Sequence, residues 1–162
     1  MKLYVESILP ADPLAVLEVF DSQPFRDRMN ATAPVTTEVL ETRMEGAIEV
    51  RRLRSTGKND LPGVVAKVVG GKRLIYEQVN RVDRERLRID WEVTVAATER
   101  FRCRGTTVIT AHPDGALRVL DGVLEVDIPL VGRQIEKAIG PEFEKSLAKA
   151  AVIAKELLEE QA

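Results

Sequence analysis

At 162 residues the chain is long enough for one domain with a sizeable core and too short to require a second. Its net charge of −2 excludes bulk electrostatic attraction to nucleic acid or anionic membrane, and a 44% hydrophobic content is ordinary for a globular protein. Cys103 is the only cysteine, so no intrachain disulfide can form and a cytoplasmic setting is expected.

The N-terminal stretch MKLYVESILPADP lacks the apolar run of a signal peptide. No segment approaches the roughly 18 apolar residues of a membrane helix, so no stable membrane insertion is expected. Residues 2–9 alternate Leu3, Val5, Ser7 and Leu9 against Lys2, Tyr4, Glu6 and Ile8, the period of a strand buried on one face. Pro10 ends it. Asp12 then offers a capping carboxylate ahead of Pro13, with Leu14, Val16, Leu17 and Phe20 as the apolar side of a short helix. Asp21 or Ser22, with Pro24, starts a second short helix that carries Phe25 and Met29 and fades by Ala33-Pro34.

From Val35 the period changes to two. The alternation predicts strands over 35–43, 48–55, 72–80, 86–95, 101–111 and 117–128, joined by short polar turns such as His112-Pro113-Asp114-Gly115. The interval from Asp60 to Gly71 breaks the rhythm. Asp60 as cap, Pro62, a glycine stop and the spacing of Leu61, Val64, Val65, Val68 and Val69 fit a short helix, whereas its valines equally suit an ordered loop. The apolar side of 61–69 must cover something, and a lid over a site is one reading. The last stretch, from Pro129 onward, is one long amphipathic helix. Ile135, Ile139, Phe143, Leu147, Ala150, Ile153, Ala154, Leu157 and Leu158 fall on a single stripe, and Gly140-Pro141 is expected to bend it into two segments.

A strand, two short helices, six further strands and a long terminal helix form an α+β order that resembles the helix-grip fold of the START-like superfamily, also called SRPBCC and including the Bet v 1 type. Pro10-Ala11-Asp12-Pro13 leading into Val16 and Phe20, Leu61-Pro62, and Pro129-Leu130-Val131-Gly132 before Ile135-Glu136-Lys137 resemble more narrowly its domain-of-unknown-function branch DUF2505. The resemblance spans essentially the whole chain as a single domain. It implies a curved seven-stranded antiparallel sheet wrapped around the terminal helix, with a cavity between them for apolar or amphipathic small molecules. It implies no catalytic residues.

Strand parity names the walls of such a cavity. Ile89 and Trp91 share one face of their strand, Phe101 and Cys103 one face of the next, and Leu120 begins the apolar face of the last. Trp91, Tyr76 and Phe101 are the candidate anchors, with Ile89 and Leu120 beside them and Ile139, Phe143 and Leu147 facing them from the helix. A fully packed core is the plainer use of the same residues. Gly105, Gly122, Ser146, Ala150 and Ala154 leave room on the buried faces or allow close approach of helix to sheet. Arg86, Arg88, Arg102 and Arg104 have outward parity, and no base-stacking aromatics accompany them, so no nucleic-acid partner is expected. Arg52 and Arg54 share parity with Ile48 and Val50; turned inward, Arg52 would pair with a ligand carboxylate or phosphate.

Enzymatic constellations are thin. His112 is the single histidine and lies in a turn, so neither a histidine metal site nor a histidine-assisted nucleophile can be assembled within the chain, and no metal or cofactor is expected. Cys103 on a buried face suits packing, and Gly70-Gly71-Lys72 lacks phosphate-loop spacing. Glu6, Glu49 and Asp121 are the weak candidates for acid–base work inside a cavity. Three readings follow: a container for a hydrophobic or amphipathic small molecule, lipid or polyketide-like; an aromatase or cyclase type of enzyme using the same cavity; and a protein-interaction module with a filled core. The sequence leaves the oligomeric state open.

Overall fold

The computed structural model describes all 162 residues. In chain order the elements are β1 (Lys2–Leu9), α1 (Pro13–Phe20), α2 (Gln23–Thr32), β2 (Val35–Glu45), β3 (Ile48–Gly57), α3 (Gly63–Val69), β4 (Ile75–Asp83), β5 (Arg88–Val95), β6 (Thr98–His112), β7 (Gly115–Val126) and α4 (Gly132–Gln161). The strands form one seven-stranded antiparallel sheet in the order β1-β7-β6-β5-β4-β3-β2. Curved around α4, it is the helix-grip arrangement that the order of elements implied.

Local chemistry sets the helix starts. The Asp12 carboxylate accepts from the Ala15 amide at 3.1 Å ahead of Pro13, and Ser22 Oγ accepts from the Phe25 amide at 3.3 Å. Ser22 is therefore the cap of α2, and Asp21, relieved of that task, ends α1 as its C-cap. Residues 63–69 are helical and stop at Gly70 in the left-handed conformation (φ 80°), although Asp60 is not the cap: it accepts instead from Arg73 Nε at 3.4 Å. β4 starts and ends three residues later than its alternation suggested: the Lys72 and Leu74 carbonyls accept from the Leu61 and Gly57 amides, and at the far end the Asp83 carboxylate accepts from the amides of Glu85 and Arg86 ahead of Leu87 (φ 54°).

α4 is one continuous helix with Pro141 inside it, and its stripe divides between two sets of packing partners. Ile135 and Ile139 join Leu3, Trp91, Val93, Phe101, Cys103 and Leu124 in one apolar cluster, with Val65 and Val69 of α3 at its edge. Ile153, Ala154, Leu157 and Leu158 join Leu9, Val16, Leu17, Val82, Ile109 and Ala116 in a second. Phe143, Leu147 and Ala150 lie between these two groups along the helix.

Gly105 and Gly122 stand directly opposite each other on β6 and β7. Their missing side chains seat the Trp91 indole: a Cβ on Gly122 would lie 2.5 Å from Trp91 Cη2 and 2.8 Å from the Arg104 carbonyl. This pair accommodates a ring and contributes no empty space. Gly122→Ala is expected to destabilise the chain by about 1–3 kcal/mol through overpacking. Urea titration followed by emission of the single tryptophan checks it, with a lower midpoint and a red-shifted folded baseline as the indole is displaced.

Candidate functional site

The two apolar clusters do not meet. Between them the concave face of the sheet, α4 and the α1–α2 corner enclose a cavity of about 230 Å³, lined by 25 residues of which 15 are hydrophobic. Leu3, Trp91, Val93, Cys103, Thr107, Arg118 and Leu120 are its buried floor. Phe20, Phe25, Arg26, Met29, Val35 and Thr37, all half-buried, form a rim from α1, α2 and β2.

Six of the residues singled out from the sequence converge here: Tyr76, Ile89, Trp91, Leu120, Phe143 and Leu147. The rings of Tyr76 and Phe143 approach to 5.5 Å between centroids, so sheet and helix touch at that point while Ser146 and Ala150, one and two turns on, line the space. Phe101 and Ile139 are buried in the first apolar cluster and do not line the cavity. Arg52 lies on the opposite, convex face, bonded to Glu77 at 2.9 Å and near Glu41 at 3.5 Å. The inward parity of β3 is that of Arg51, Leu53 and Ser55; Val50, which suggested otherwise, is buried on the convex side between Arg43 and Arg81 of the neighbouring strands. No residue of 61–69 reaches the cavity. α3 covers the first apolar cluster, and the place of a lid is taken by the α1–α2 corner. Of the acid–base candidates, Glu6 and Asp121 are tied up at the surface, with Tyr4 at 2.6 Å and Lys2 at 4.0 Å.

Glu49 belongs to a half-buried charged cluster at one end of the cavity. Arg51 Nη2 donates to Glu49 at 3.0 Å and lies 3.4 Å from Asp21; Arg84 reaches Glu18 at 2.6 Å, Asp21 at 3.1 Å and Glu49 at 3.2 Å. Arg26 donates to the Asp21 carbonyl at 2.9 Å. Burial and a hydrogen bond with Glu49 push the Asp21 carboxyl up to about 7, with Arg51 and Arg84 pulling the other way. Glu49 shifts down: burial acts against this, but the Asp21 hydrogen bond and the Arg84 and Arg51 guanidiniums outweigh it. The two carboxyls thus share a proton near neutrality.

Arg118 differs from all of these. It projects inward from β7 between Ala116 and Leu120, is 8% exposed, and has no carboxylate within 4.0 Å and no hydrogen-bond acceptor. Its guanidinium carbon lies 3.8 Å from the centroid of the Phe20 ring, and burial pushes its pKa down to about 10. Trp91 Nε1 and Arg51 Nε are the other buried donors without a partner. Burial also raises the Cys103 thiol and the Tyr76 hydroxyl, each to about 12, which keeps both neutral. Sequence reading passed over Arg118 because an isolated arginine in a strand is ordinarily solvent-facing; its parity with Ala116, Leu120 and Leu124 was the available signal.

The profile of the family described as "Protein of unknown function (DUF2505)" matches residues 5–158. The chain belongs to that family. Solved structures agree on the fold. A Thermus thermophilus protein superposes with a TM-score of 0.69 at 22% identity over 100% of both chains. A START superfamily protein from Mycobacterium smegmatis gives 0.56 at 17%, covering 100% of this DUF2505 chain and 98% of its own. The Zhui aromatase/cyclase from Streptomyces sp. R1128 gives 0.59 at 13%, covering 96% and 92%. No functionally curated protein matches the sequence. No helix of this DUF2505 chain is long and apolar enough to cross a membrane.

The Asp21–Glu49 pair sets a pH dependence. Because the folded Asp21 carboxyl lies above its ordinary value of 3.8, its contribution to stability is complete at acid pH and is lost as pH rises toward about 7. Glu49, shifted down, contributes with the opposite sign, lost as pH falls below its ordinary range. Thermal melts from pH 5 to pH 8 are expected to show wild-type stability falling up to about pH 7 and levelling once Asp21 ionises, and Asp21→Asn flattening that slope.

Proposed function

We propose that this chain binds a hydrophobic or amphipathic small molecule, lipid or polyketide-like, in the cavity between the sheet and α4. The observation that carries this reading is the cavity wall itself: a largely apolar surface interrupted by buried donors, Arg118 Nε, Trp91 Nε1 and Arg51 Nε, that nothing in the protein satisfies. Filled cores satisfy their polar groups, whereas ligand sites hold a few in reserve for orientation. At about 230 Å³ the space sits just below the ~300–1,000 Å³ of drug-sized sites, which favours a compact ligand. Apolar enclosure contributes roughly 25 cal/mol per Å² removed from water before ordering costs.

The likeness in fold to a START superfamily protein supports the reading. Trp91, Tyr76, Ile89, Leu120, Phe143 and Leu147 are the contacts proposed for the apolar part of the ligand. Delipidated protein screened against fatty acids, sterols and aromatic compounds is expected to gain about 5 °C or more in melting temperature for a ligand at ~100 times its Kd. Ala150→Trp, which places an indole in the space, is expected to keep the fold by circular dichroism and abolish that gain. A library without effect on wild type would count heavily against the proposal.

A second reading has one specific observation behind it. Asp21, which titrates near pH 7, lines the cavity beside Arg51, and a group with that pKa is suited to general acid–base work on a bound substrate. An aromatase/cyclase shares the fold, which makes cyclisation of a polyketide-like chain the reaction to assay. Turnover that Asp21→Asn abolishes while ligand binding persists would establish it; binding without turnover keeps the protein a container.

A further inference from the structure

The proposed container would need a ligand of particular charge. We infer that the cavity is a site for an organic anion, an apolar body with a carboxylate-like head, in which Arg118 receives the head. This rests on the cavity being a ligand site and adds the chemical class of what it takes.

The charge distribution carries the inference. Around the α1–α2 corner Glu18, Asp21 and Glu49 are consumed by Arg84 and Arg51, and Arg26 is held by the Asp21 carbonyl and by Gln23. No carboxylate is left over for Arg118, and only the Phe20 ring face compensates it. An isolated buried cation is costly, and proteins ordinarily pair it or leave it at the surface. Here it stands on the cavity floor, 8% exposed, with its Nε lacking an acceptor. A guanidinium offers donors in a planar fork that matches two oxygens of one carboxylate, and a water-poor wall strengthens that pairing. The surroundings select the rest of the ligand. Leu120 and Phe20 flank the head position and Phe143 and Leu147 line the space beyond, so a small hydrophilic anion would leave this apolar surface unmatched. Trp91 Nε1 supplies a further donor for an acceptor on the body.

The test compares matched probes by calorimetry on the full chain: decanoate against decanol, and naphthoate against naphthamide. For at least one pair, wild type is expected to bind the anion at least tenfold more tightly than its neutral partner. Arg118→Met, which keeps the length of the side chain and removes the charge, is expected to bind both members equally and to retain wild-type affinity for the neutral one. With no ligand present, its melting temperature is expected to equal or exceed that of wild type, because an unpaired buried charge has been removed. Equal wild-type affinity within both pairs would overturn the anion assignment and leave the container standing. Absence of binding by all four would overturn both. An Arg118→Met chain less stable than wild type would mark the arginine as a structural residue and overturn the assignment as well.

Discussion

A single helix cannot cover this sheet. Seven strands at a spacing of about 4.8 Å make a face about 29 Å wide, against about 11 Å for an α-helix with its side chains. Apolar residues on the remaining two-thirds need other partners. α3 supplies some at one end and α1 supplies others at the opposite end, which is why the core falls into two clusters that both use α4. The middle of the helix, from Phe143 to Ala150, lies between them and faces the space with Phe143, Ser146, Leu147 and Ala150, two of them small. The space left there follows from this geometry and from the scarcity of aromatics, 4% of the chain, that would otherwise fill it.

Electrostatics divides the cavity into two unlike ends. At the α1–α2 corner, arginines and carboxylates neutralise one another within a few ångströms, a network that holds the corner to β3 and to the turn after β4. On the floor Arg118 has no such company. The contrast is one of charge: the corner arginines have carboxylate partners, with only Arg51 Nε left without an acceptor, whereas Arg118 has no carboxylate at all.

Much of this arrangement was legible in residue order. Strand alternation placed Trp91, Ile89 and Leu120 on the inner face, and helical spacing turned Phe143 and Leu147 toward them, because both periods are imposed by backbone geometry and survive tertiary packing. What alternation could not resolve was β3, where Val50 is buried on the convex side beside arginines and so imitates an inward position. That shifted the interior arginine by one residue, from Arg51 to Arg52. Phe101 and Ile139 have the right parity and lie too far along their elements, a distance that sheet curvature decides and local pattern does not contain. The Asp21–Glu49 pair was equally hidden. Its members are separated by α2 and β2, and Asp21 reads as a helix cap until Ser22 is seen to take that role.

Strand order has a consequence for how the protein comes into being. β1 is the first strand made, yet its neighbour is β7, with Lys2 opposite Val123 and Leu9 opposite Ala116. Its edge therefore stays unpaired while five other strands are synthesised, and such long-range closure is slow and exposes apolar surface meanwhile. Arg118 arrives on that same last strand, and α4 follows it. The strand that carries Arg118 and the helix that roofs the cavity are thus the last elements made, and the space between them exists only once β1 has closed onto β7.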